Sequence, residues 1–365
     1  MKKVGIVTIC DYKNYGNRLQ NYAVQEILRD LGFDAETIVN MPLKNSKHRS
    51  VVPALINKYV RLLCLPPREV IRLLLLQSRK AVFVKWMSRQ IKETTFTVTP
   101  DYIPNDLGDS YDYFVVGSDQ VWNPAFRYGF EVDFLTFAPK HKRIAYAASF
   151  GESSLPREYV GFYKQRLAEM KALSVRESVG RKLIKDLTGR EAVVLIDPTM
   201  MLSKEKWLSI AKSHNQKPKT KYLLSYFLGD ISKEVYAYVK RIARQNNLEI
   251  VTLESIKDRK RFTVDPSEFI DYVNEASVVF TNSFHGTVFS ILFEKPFVAF
   301  DREGEASSMN SRLDTLLSTF DLESRRYPFV DRLENILEID YSKVHFILEH
   351  ERNKALEYLR RALDV

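Results

Sequence analysis

The sequence predicts an α/β protein with two doubly wound, Rossmann-like domains that face each other across a cleft. Short apolar strands alternate with helical patterns along most of the chain, which is typical of parallel α/β sheets. The chain has 365 residues, more than a single hydrophobic core usually supports. A polar, lysine-rich passage at 213–221 separates two runs of this alternation. Together these observations favour two domains of the same class.

The composition excludes several classes of protein. Hydrophobic residues make up 45% of the chain and charged residues 28%, which argues against disorder. No apolar run approaches the roughly 18 residues of a membrane span. The two cysteines, Cys10 and Cys64, cannot form a disulfide framework or a zinc site between them. We therefore predict a cytoplasmic protein.

The first domain is predicted at residues 1–197 and begins with a βαβ unit. A strand at 4–10 precedes a helix from about Leu19 to Leu31, which Gly32 would end, and a second strand follows at 33–39. The connecting turn lacks a G-x-G-x-x-G pattern, so a dinucleotide fingerprint is absent. Further strands are predicted at 113–117, 143–148, 173–177 and 192–196, and helices at 156–171 and 179–187.

A basic helical arm, at about 41–95, interrupts this domain. Between Lys44 and Lys92 there are 12 Lys and Arg residues against one acid, Glu69. The arm also contains an apolar run with basic flanks at 70–76, a combination that suits contact with an anionic membrane surface or a membrane-bound partner. The alternative is a solvated helix that covers its own domain. The sequence contains no recognisable nucleic-acid motif, so no nucleic-acid partner is predicted.

The second domain is predicted at 218–340, after a linker at 198–217. Its pattern restarts with a strand at 222–228. The residues at 341–365 are expected to form a C-terminal helix. The remaining strands are predicted at 248–253, 278–281 and 297–300, and the helices at 232–246 and 268–274.

Polar side chains follow several of these strands, and they define the predicted site. His285 lies in a turn between an apolar strand and an apolar helix, where ligands bind in open α/β sheets and where free N–H groups favour anions. His285 can exchange a proton near neutral pH, or it can simply stabilise the turn. Arg176 ends a strand of the first domain, so the order of elements places Arg176 and His285 on opposite sides of one cleft.

A third strand, at 113–117, is followed by Asp119, Gln120 and Trp122. A carboxylate, an amide and an indole at a strand end suit sugar binding through hydrogen bonds and stacking. The alternative is a turn in which Asp119 caps backbone N–H groups and Trp122 packs inward. Both interpretations stay open at this point.

Five stretches, in order along the chain, resemble the polysaccharide pyruvyl transferase family. The resemblance covers about residues 4 to 317 and leaves out the basic arm and the C-terminal helix. The matching stretches are NYGNRLQNYA at 14–23, VVGSDQVWNP at 115–124, SVRE at 174–177, DPT at 197–199 and TNSFHG at 281–286.

The resemblance implies a fold like that of the B-type glycosyltransferases, with the C-terminal helix crossing back to the first domain. It also implies transfer of a pyruvyl group from phosphoenolpyruvate to two hydroxyls of a sugar, which forms a ketal. The family's arginine and histidine map onto Arg176 and His285, which become the predicted catalytic residues. Some members have a second arginine two residues before the histidine, where this chain has Ser283, and Arg312 is a candidate substitute.

The predicted site therefore has a donor side in the second domain and an acceptor side in the first. The donor-binding residues are predicted to be Asn282, Ser283, Gly286, Thr287 and Arg312. The acceptor-binding residues are predicted to be Asn17, Arg18, Asp119, Gln120 and Trp122.

Phosphoenolpyruvate carries a phosphate and a carboxylate, both of which suit arginine and helix N-terminal amides. No cofactor or metal site is predicted, since phosphoenolpyruvate is a co-substrate and its charges can be met by arginine. The partners are expected to be this donor, a glycan or lipid-linked oligosaccharide, and through 44–92 the inner face of the membrane. Two other functions fit the same sequence: a nucleotide-sugar-dependent glycosyltransferase and a non-catalytic glycan-binding protein.

Overall fold

A computed structural model describes residues 1–42, 66–302, 310–332 and 335–365, and these form two larger parallel sheets and one two-stranded sheet. The strands of the first sheet are β1 (Lys3–Val7), β2 (Asp34–Asn40), β3 (Glu93–Val98), β4 (Tyr113–Val116) and β5 (Arg143–Ala145). Their spatial order is β3-β2-β1-β4-β5, and every pairing is parallel. This is the order of a doubly wound nucleotide-binding sheet.

The second sheet has four parallel strands in the second half of the chain. They are β8 (Tyr222–Tyr226), β9 (Glu249–Leu253), β10 (Val278–Thr281) and β11 (Phe297–Ala299), in the spatial order β11-β10-β8-β9. Between the two sheets in sequence lie β6 (Ser174–Val175) and β7 (Val193–Val194), which pair with each other. Parallel bridges from Ile144 to Ala172 and from Ala148 to Val175 attach this pair beside β5. The two-domain, doubly wound prediction is therefore confirmed.

Eleven α-helices connect the strands within the described part of the chain. They are α1 (Tyr15–Asp30), α2 (Pro67–Gln90), α3 (Pro124–Arg127), α4 (Arg157–Ala168), α5 (Ser178–Thr188), α6 (Lys204–Ser209), α7 (Lys233–Gln245), α8 (Pro266–Glu275), α9 (Phe284–Leu292), α10 (Ser311–Thr319) and α11 (Ser342–Ala362). None of the helices so described is long and apolar enough to cross a bilayer.

Helix α1 begins four residues earlier than the predicted Leu19. The side chain of Asn14 accepts a hydrogen bond from the Asn17 N–H and so caps a helix that starts at Tyr15. The polar residues of this first turn are buried, which hides the start of the helix from an analysis based on apolar spacing. The predicted stop is confirmed, because Gly32 has a φ of +87° and its N–H bonds to the Arg29 carbonyl.

Other predicted boundaries are wrong in ways that local packing explains. The strands predicted at 143–148, 173–177 and 192–196 are only two or three residues long, because isolated bridges replace a regular ladder there. The predicted linker contains α6, whose Trp207 is completely buried and donates from Nε1 to the Thr199 carbonyl. Strand β3 and helices α3, α6 and α10 were not predicted as elements.

Helix α2 is the described part of the predicted basic arm, and residues 43–65 lie outside the described chain. Its second half packs on the protein through the buried side chains of Phe83, Trp86 and Met87. In its first half, Leu73 and Leu74 remain 37% and 59% exposed. The second half of α2 therefore covers its own domain, as one of the two predictions for the arm has it. The first half exposes apolar side chains.

The two domains meet along α1, and the C-terminal helix joins them from behind. Helix α1 contacts both α8 and α9 of the second domain. The hydroxyl of Tyr358 in α11 donates to the Ala145 carbonyl of β5 at 2.6 Å. Arg352 of α11 donates to the carbonyls of Met200 and Leu202 at 2.7 and 2.9 Å. Helix α11 thus packs on the first domain and on the segment that follows it, while α1 contacts the second domain, and the predicted site lies where the domains meet.

Candidate active site

The turn after β10 is shaped by side chains that bond to the backbone. The Ser283 hydroxyl accepts the Gly286 N–H at 3.3 Å and caps α9. Asn282 accepts the Leu228 N–H at 2.7 Å and donates to the Leu228 carbonyl at 3.3 Å, which ties the turn to the end of β8. The Thr287 hydroxyl donates to the Ser283 carbonyl at 3.3 Å. Three of the predicted donor-binding residues therefore hold the turn in place.

Gly286 allows α9 to lie directly against the strand end. A Cβ atom at this position would come within 2.4 Å of the Thr281 hydroxyl and 2.9 Å of the Tyr226 ring. No side chain larger than hydrogen fits without moving the helix. The result is a short, fully buried helix whose first turn carries Phe284 and His285 towards the first domain.

His285 enters the first domain and packs against its first helix. Only 6% of the residue is exposed. A Cβ atom added to Gly16 of α1 would lie 2.1 Å from Nδ1 of His285, so the ring rests on the backbone of that helix. Its Nε2 atom lies 3.5 Å from Oδ2 of Asp197. The glycine of the NYGNR stretch therefore makes room for a histidine from the other domain.

Asp197 holds Arg176 as well as His285. Arg176 donates from Nη1 to Oδ2 of Asp197 at 2.5 Å and from Nη2 to Oδ1 of Asp119 at 3.4 Å. Its guanidinium also lies 4.3 Å from the centre of the Phe284 ring. The two predicted catalytic residues come from different domains, and one buried carboxylate brings them together.

The buried groups around Asp197 and Arg176 stabilise each other's charged forms. Burial opposes ionisation of Asp197, but the interactions with His285 and with the Arg176 guanidinium outweigh it and hold the pKa of this carboxyl well below its usual range. Burial likewise opposes the charge of Asp119, and Arg176 and His285 again lower its pKa. The same carboxylates raise the pKa of Arg176 despite its burial. Both aspartates and Arg176 are therefore charged at neutral pH.

Three buried polar atoms in this region have no hydrogen-bond partner among the described residues. They are Nε of Arg176, Nε2 of His285 and Oε2 of Glu177. The other carboxylate oxygen of Glu177 accepts the Phe150 N–H at 2.8 Å, and burial raises the pKa of this group. Buried polar atoms without partners are rare and costly, so they mark a place where a ligand or water binds. A cavity of about 70 Å³ lies beside Arg176, Asp197 and Phe284.

Arg312 lies on the second-domain side of the same cluster. It is 4% exposed, and its guanidinium is 5.9 Å from the Phe284 ring. Burial and repulsion from Arg176 and Arg302 lower the pKa of Arg312 to about 9. The candidate substitute for an arginine at 283 is thus close to the predicted catalytic pair.

On the first-domain side, two of the five predicted acceptor residues are structural. Trp122 is completely buried, stacks on Phe134 with ring centres 5.9 Å apart, and donates to the Asp133 carbonyl at 2.9 Å. It has no face for a sugar, so the inward-packing alternative is correct for this residue. Arg18 is also completely buried, where it bonds to Asn17 and lies 3.7 Å from Glu93.

The other three acceptor candidates lie nearer the cluster. Nδ2 of Asn17 donates to Oδ2 of Asp119 at 3.0 Å. Gln120 accepts from Asn123 at 3.0 Å. Asp119 and Gln120 each keep 9% of their surface exposed. Asp119 therefore joins the acceptor side to Arg176, and it has a φ of +69° at the end of its strand.

Sequence reasoning assigned no role to Asp197, Glu177, Phe284 or Arg302. Asp197 lies in a quoted stretch, and it follows a predicted strand in the same way as Arg176 and His285 do. Arg302 follows β11 by three residues. Both residues could have been found by examining the residues that follow every predicted strand, where ligands bind in parallel sheets. The contacts of Glu177 and Phe284 depend on tertiary packing, which the spacing of residues in the sequence does not reveal. Within the described residues, no cluster of three or more metal-ligating side chains occurs.

A family model described as polysaccharide pyruvyl transferase matches residues 14–304. A search of curated proteins found no match.

Among solved structures, the UDP-GlcNAc 2-epimerase of Methanocaldococcus jannaschii in complex with UDP-GlcNAc and UDP is 11% identical, with a TM-score of 0.48, and the match covers 100% of this chain and 99% of that one. A spinosyn rhamnosyltransferase complexed with thymidine diphosphate is also 11% identical, with coverage of 98% and 99% and a TM-score of 0.42. At such identities the likeness concerns the fold alone. The sheets themselves are parallel and doubly wound, as the sequence analysis predicts.

Proposed function

The chain belongs to the polysaccharide pyruvyl transferase family, and on that premise we propose that it transfers a pyruvyl group from phosphoenolpyruvate to two hydroxyls of one sugar. The acceptor is a surface polysaccharide or its lipid-linked precursor, and the products are a pyruvate ketal and phosphate. The observation that carries the proposal is the meeting of Arg176 and His285 on Asp197, with a partnerless nitrogen on each of the first two.

The donor is proposed to bind at the Phe284 side of the cluster. Phosphoenolpyruvate has two anionic groups, and the site has the buried guanidiniums of Arg176 and Arg312 together with the N-terminus of α9. In this chain Ser283 caps the helix rather than contributing a positive charge. The turn residues Asn282, Gly286 and Thr287 act by holding the donor side in shape.

The proposed reaction proceeds in two steps. In the first, a sugar hydroxyl oxygen bonds to C2 of the donor, the π bond between C2 and C3 breaks, and the proton lost by that hydroxyl is passed to C3, which becomes a methyl group. In the second, the second hydroxyl oxygen bonds to C2, the bond from C2 to the phosphate oxygen breaks, and phosphate leaves with the proton of that hydroxyl. Nε2 of His285 is the atom proposed to hold the transferred proton, and Asp197 orients the imidazole.

The acceptor is proposed to approach from the first-domain side, towards Asp119 and Gln120. These two residues keep exposed surface beside Arg176, and Asn17 positions the Asp119 carboxylate. Arg18 and Trp122 contribute to this side only through the packing beneath it. A carboxylate and an amide are suited to donating and accepting hydrogen bonds with a sugar's hydroxyls.

The protein is proposed to work at the cytoplasmic face of the membrane, where lipid-linked acceptors are found. The support is the basic character of 44–92 and the exposed Leu73 and Leu74 in the described part of that segment. Flotation with anionic phospholipid vesicles tests this localisation. The protein should float with anionic vesicles and not with neutral ones, and Leu73→Asp combined with Leu74→Asp should abolish flotation.

The enzymatic test uses the purified protein, phosphoenolpyruvate and a panel of lipid-linked or free oligosaccharides. We expect phosphate release that depends on the acceptor, and a new ketal methyl resonance in the product by NMR. Thermal-shift titration separates the alternatives, since phosphoenolpyruvate should stabilise the protein whereas uridine and guanosine diphosphates should not. Stabilisation by a nucleotide diphosphate alone would favour the glycosyltransferase alternative. Glycan binding without phosphate release at saturating donor would favour the binding-protein alternative.

A further inference from the structure

A second cavity lies beside the candidate active site, where the first turns of α5 and α10 meet across the domain boundary. Its volume is about 430 Å³, within the roughly 300–1,000 Å³ that is typical of ligand pockets. The Ser178 N–H of α5 donates to the Thr315 hydroxyl of α10 at 3.3 Å, which joins the two helices. Thr315 lines this cavity and also the smaller cavity beside Arg176, Asp197 and Phe284. The larger cavity, which we call the outer pocket, therefore adjoins the proposed site.

The outer pocket also adjoins the predicted acceptor side. Ser178, which lines it, directly follows Glu177, whose carboxylate accepts the Phe150 N–H at 2.8 Å and the Gly151 N–H at 3.4 Å. Gly151 lies against Gln120, because a Cβ atom added to this glycine would come within 1.9 Å of Oε1 of Gln120. A line of contacts therefore runs from Gln120 to the outer pocket. It passes through Glu177, whose Oε2 atom has no hydrogen-bond partner among the described residues.

The charges of the outer pocket do not suit an anionic ligand. Among the described residues that line it, the carboxylates of Asp314 and Glu323 outnumber the one guanidinium, that of Arg326. Arg326 already pairs with Asp314 and with Asp301, whose Oδ1 atom lies 2.5 Å from Nη2 of the arginine. The pocket therefore offers hydrogen-bond acceptors rather than a positive charge, which suits a neutral molecule with several hydroxyls.

An aromatic side chain adds an apolar surface to the outer pocket. Phe329 lines it and is 48% exposed, although the next residue, Val330, is buried. The Arg332 guanidinium lies 5.5 Å from the centre of the Phe329 ring. The C–H groups on one face of a sugar ring can pack on an aromatic ring, while the sugar's hydroxyls donate to carboxylates. An exposed phenyl ring beside two carboxylates therefore matches both kinds of surface that a sugar presents.

We propose that the outer pocket binds a further sugar of the acceptor, beyond the one that receives the pyruvyl group. The inference rests on the proposed function for the identity of the acceptor, but the binding of a neutral sugar does not depend on it. Phe329 packs against the ring of this sugar, and Asp314 and Glu323 accept hydrogen bonds from its hydroxyls. The pocket thus makes the protein select acceptors of two or more sugars over single sugars.

The test compares sugars of different length. Mono-, di- and trisaccharides of glucose, galactose, mannose and N-acetylhexosamines are titrated into the wild-type protein, Phe329→Ala and Glu323→Ala, and saturation-transfer difference NMR gives the dissociation constants. We expect the wild type to bind its preferred di- or trisaccharide about 10-fold more tightly than the corresponding monosaccharide. Each substitution should weaken binding of that longer sugar by about 3- to 10-fold, through loss of an aromatic contact or of a hydrogen bond.

Controls separate binding from folding. Phe346→Ala removes an aromatic side chain of α11 that is 79% exposed and lies outside the outer pocket, so it should leave sugar binding unchanged. Phe329→Tyr keeps the aromatic ring and should keep the affinity of the wild type. Since Phe329 and Glu323 are exposed, the melting temperatures of their variants should stay within about 2 °C of the wild type.

The outcomes distinguish this inference from the proposed function. Sugar affinities that are equal in the wild type, Phe329→Ala and Glu323→Ala would overturn the outer pocket as a sugar site even if ketal formation were observed. A wild-type protein that binds no sugar of the panel would overturn it as well. Weaker sugar binding in both variants, in a protein that forms no ketal, would support the sugar site and reject the pyruvyl transfer.

In a protein that forms the ketal, the same variants give a kinetic readout. Both should raise KM for the longer acceptor and leave kcat unchanged, because the outer pocket binds a sugar that does not react. A fall in kcat with an unchanged KM would contradict the assignment of the pocket to the acceptor.

Discussion

Two buried arginines, Arg79 and Arg176, bridge the domains of this protein, and they do so in different ways. Arg79 of α2 is 1% exposed, and all three of its nitrogens donate. Its acceptors are the carbonyls of Lys13 and Phe262, the hydroxyl of Tyr15 and the carboxylate of Glu254. Arg176 is equally buried, yet its Nε has no partner among the described residues. Because every nitrogen of the Arg79 guanidinium donates a hydrogen bond, we interpret Arg79 as structural. Because Nε of Arg176 has no acceptor, we interpret Arg176 as a group that can bind a ligand.

Arg79 also contributes to the packing of the second half of α2 on the rest of the protein. Tyr15 and Lys13 belong to the first domain, whereas Glu254 and Phe262 belong to the second. Arg79 therefore joins the helix to both domains at one point. Substitutions at the two arginines should separate stability from activity.

The largest effect is expected from Arg176→Met. It would leave Asp197 and Asp119 buried without the counter-charge of Arg176, and it would remove a proposed donor contact. We expect no measurable turnover and a free energy of unfolding lowered by about 3–5 kcal/mol. Phosphate-release assays and urea unfolding measure the two losses. Full activity in this variant would show that the unused donor has no function.

The counterpart substitution is Arg79→Met. It would remove this donor from the buried Phe262 carbonyl and from the largely buried Glu254 carboxylate, so the free energy of unfolding should again fall by about 3–5 kcal/mol. The folded fraction should keep its kcat, because Arg79 contacts no atom of the proposed site. A kcat that falls as steeply as it does in Arg176→Met would remove the distinction between the two arginines.

The third prediction concerns His285→Gln, which retains a polar side chain of similar reach. The loss of a proton carrier should lower kcat by about 10²–10⁴-fold. The melting temperature should change far less than in either arginine variant. If kcat were retained and the melting temperature dropped, His285 would only stabilise the turn. Asn353→Gln, an exposed polar change in α11, provides a matched control with no expected effect.

The smallest effect is a change in pH dependence. The pKa of Arg312 lies near 9, below its ordinary value, so Arg312 is charged at neutral pH and loses its proton as the pH rises through about 9. Since anion binding needs the charged form, kcat/KM for phosphoenolpyruvate should fall above about pH 9. In Arg312→Lys the pH at which kcat/KM falls should shift. In Arg312→Gln kcat/KM should already be lower at neutral pH, and it should not fall further above pH 9. An unchanged alkaline limb in both variants would contradict this assignment.

The lowered pKa of Arg312 makes the free energy of unfolding change with pH in the opposite direction to kcat/KM. Below about pH 9 the folded protein carries a buried charge on Arg312 that its surroundings disfavour, so this charge reduces the free energy of unfolding. The penalty declines as the pH rises past 9. Inorganic phosphate should therefore raise the melting temperature of the wild-type protein at neutral pH more than that of Arg312→Gln.

Much of the fold and part of the site follow from the sequence alone. Alternating apolar strands and helices predict two parallel sheets, because strands buried on both faces need continuous apolar runs. The ligand-binding edge of such a sheet is where its strands end, so Arg176 and His285 could be named from their positions after strands. The five quoted stretches led to the family, and its model matches residues 14–304.

The tertiary structure decided the rest. Trp122 lies in a polar turn and Arg18 in the polar first part of α1; neither sequence indicates which side chain faces inward, and packing buries both. Asp197 holds Arg176 and His285 only because two distant strands end at the same place. Arg302 reaches the turn before His285 through contacts to Asn282 and Asn310 that no spacing predicts. The sequence by itself determined which strand ends carry chemistry, and the packing of the two domains determined which of those groups meet.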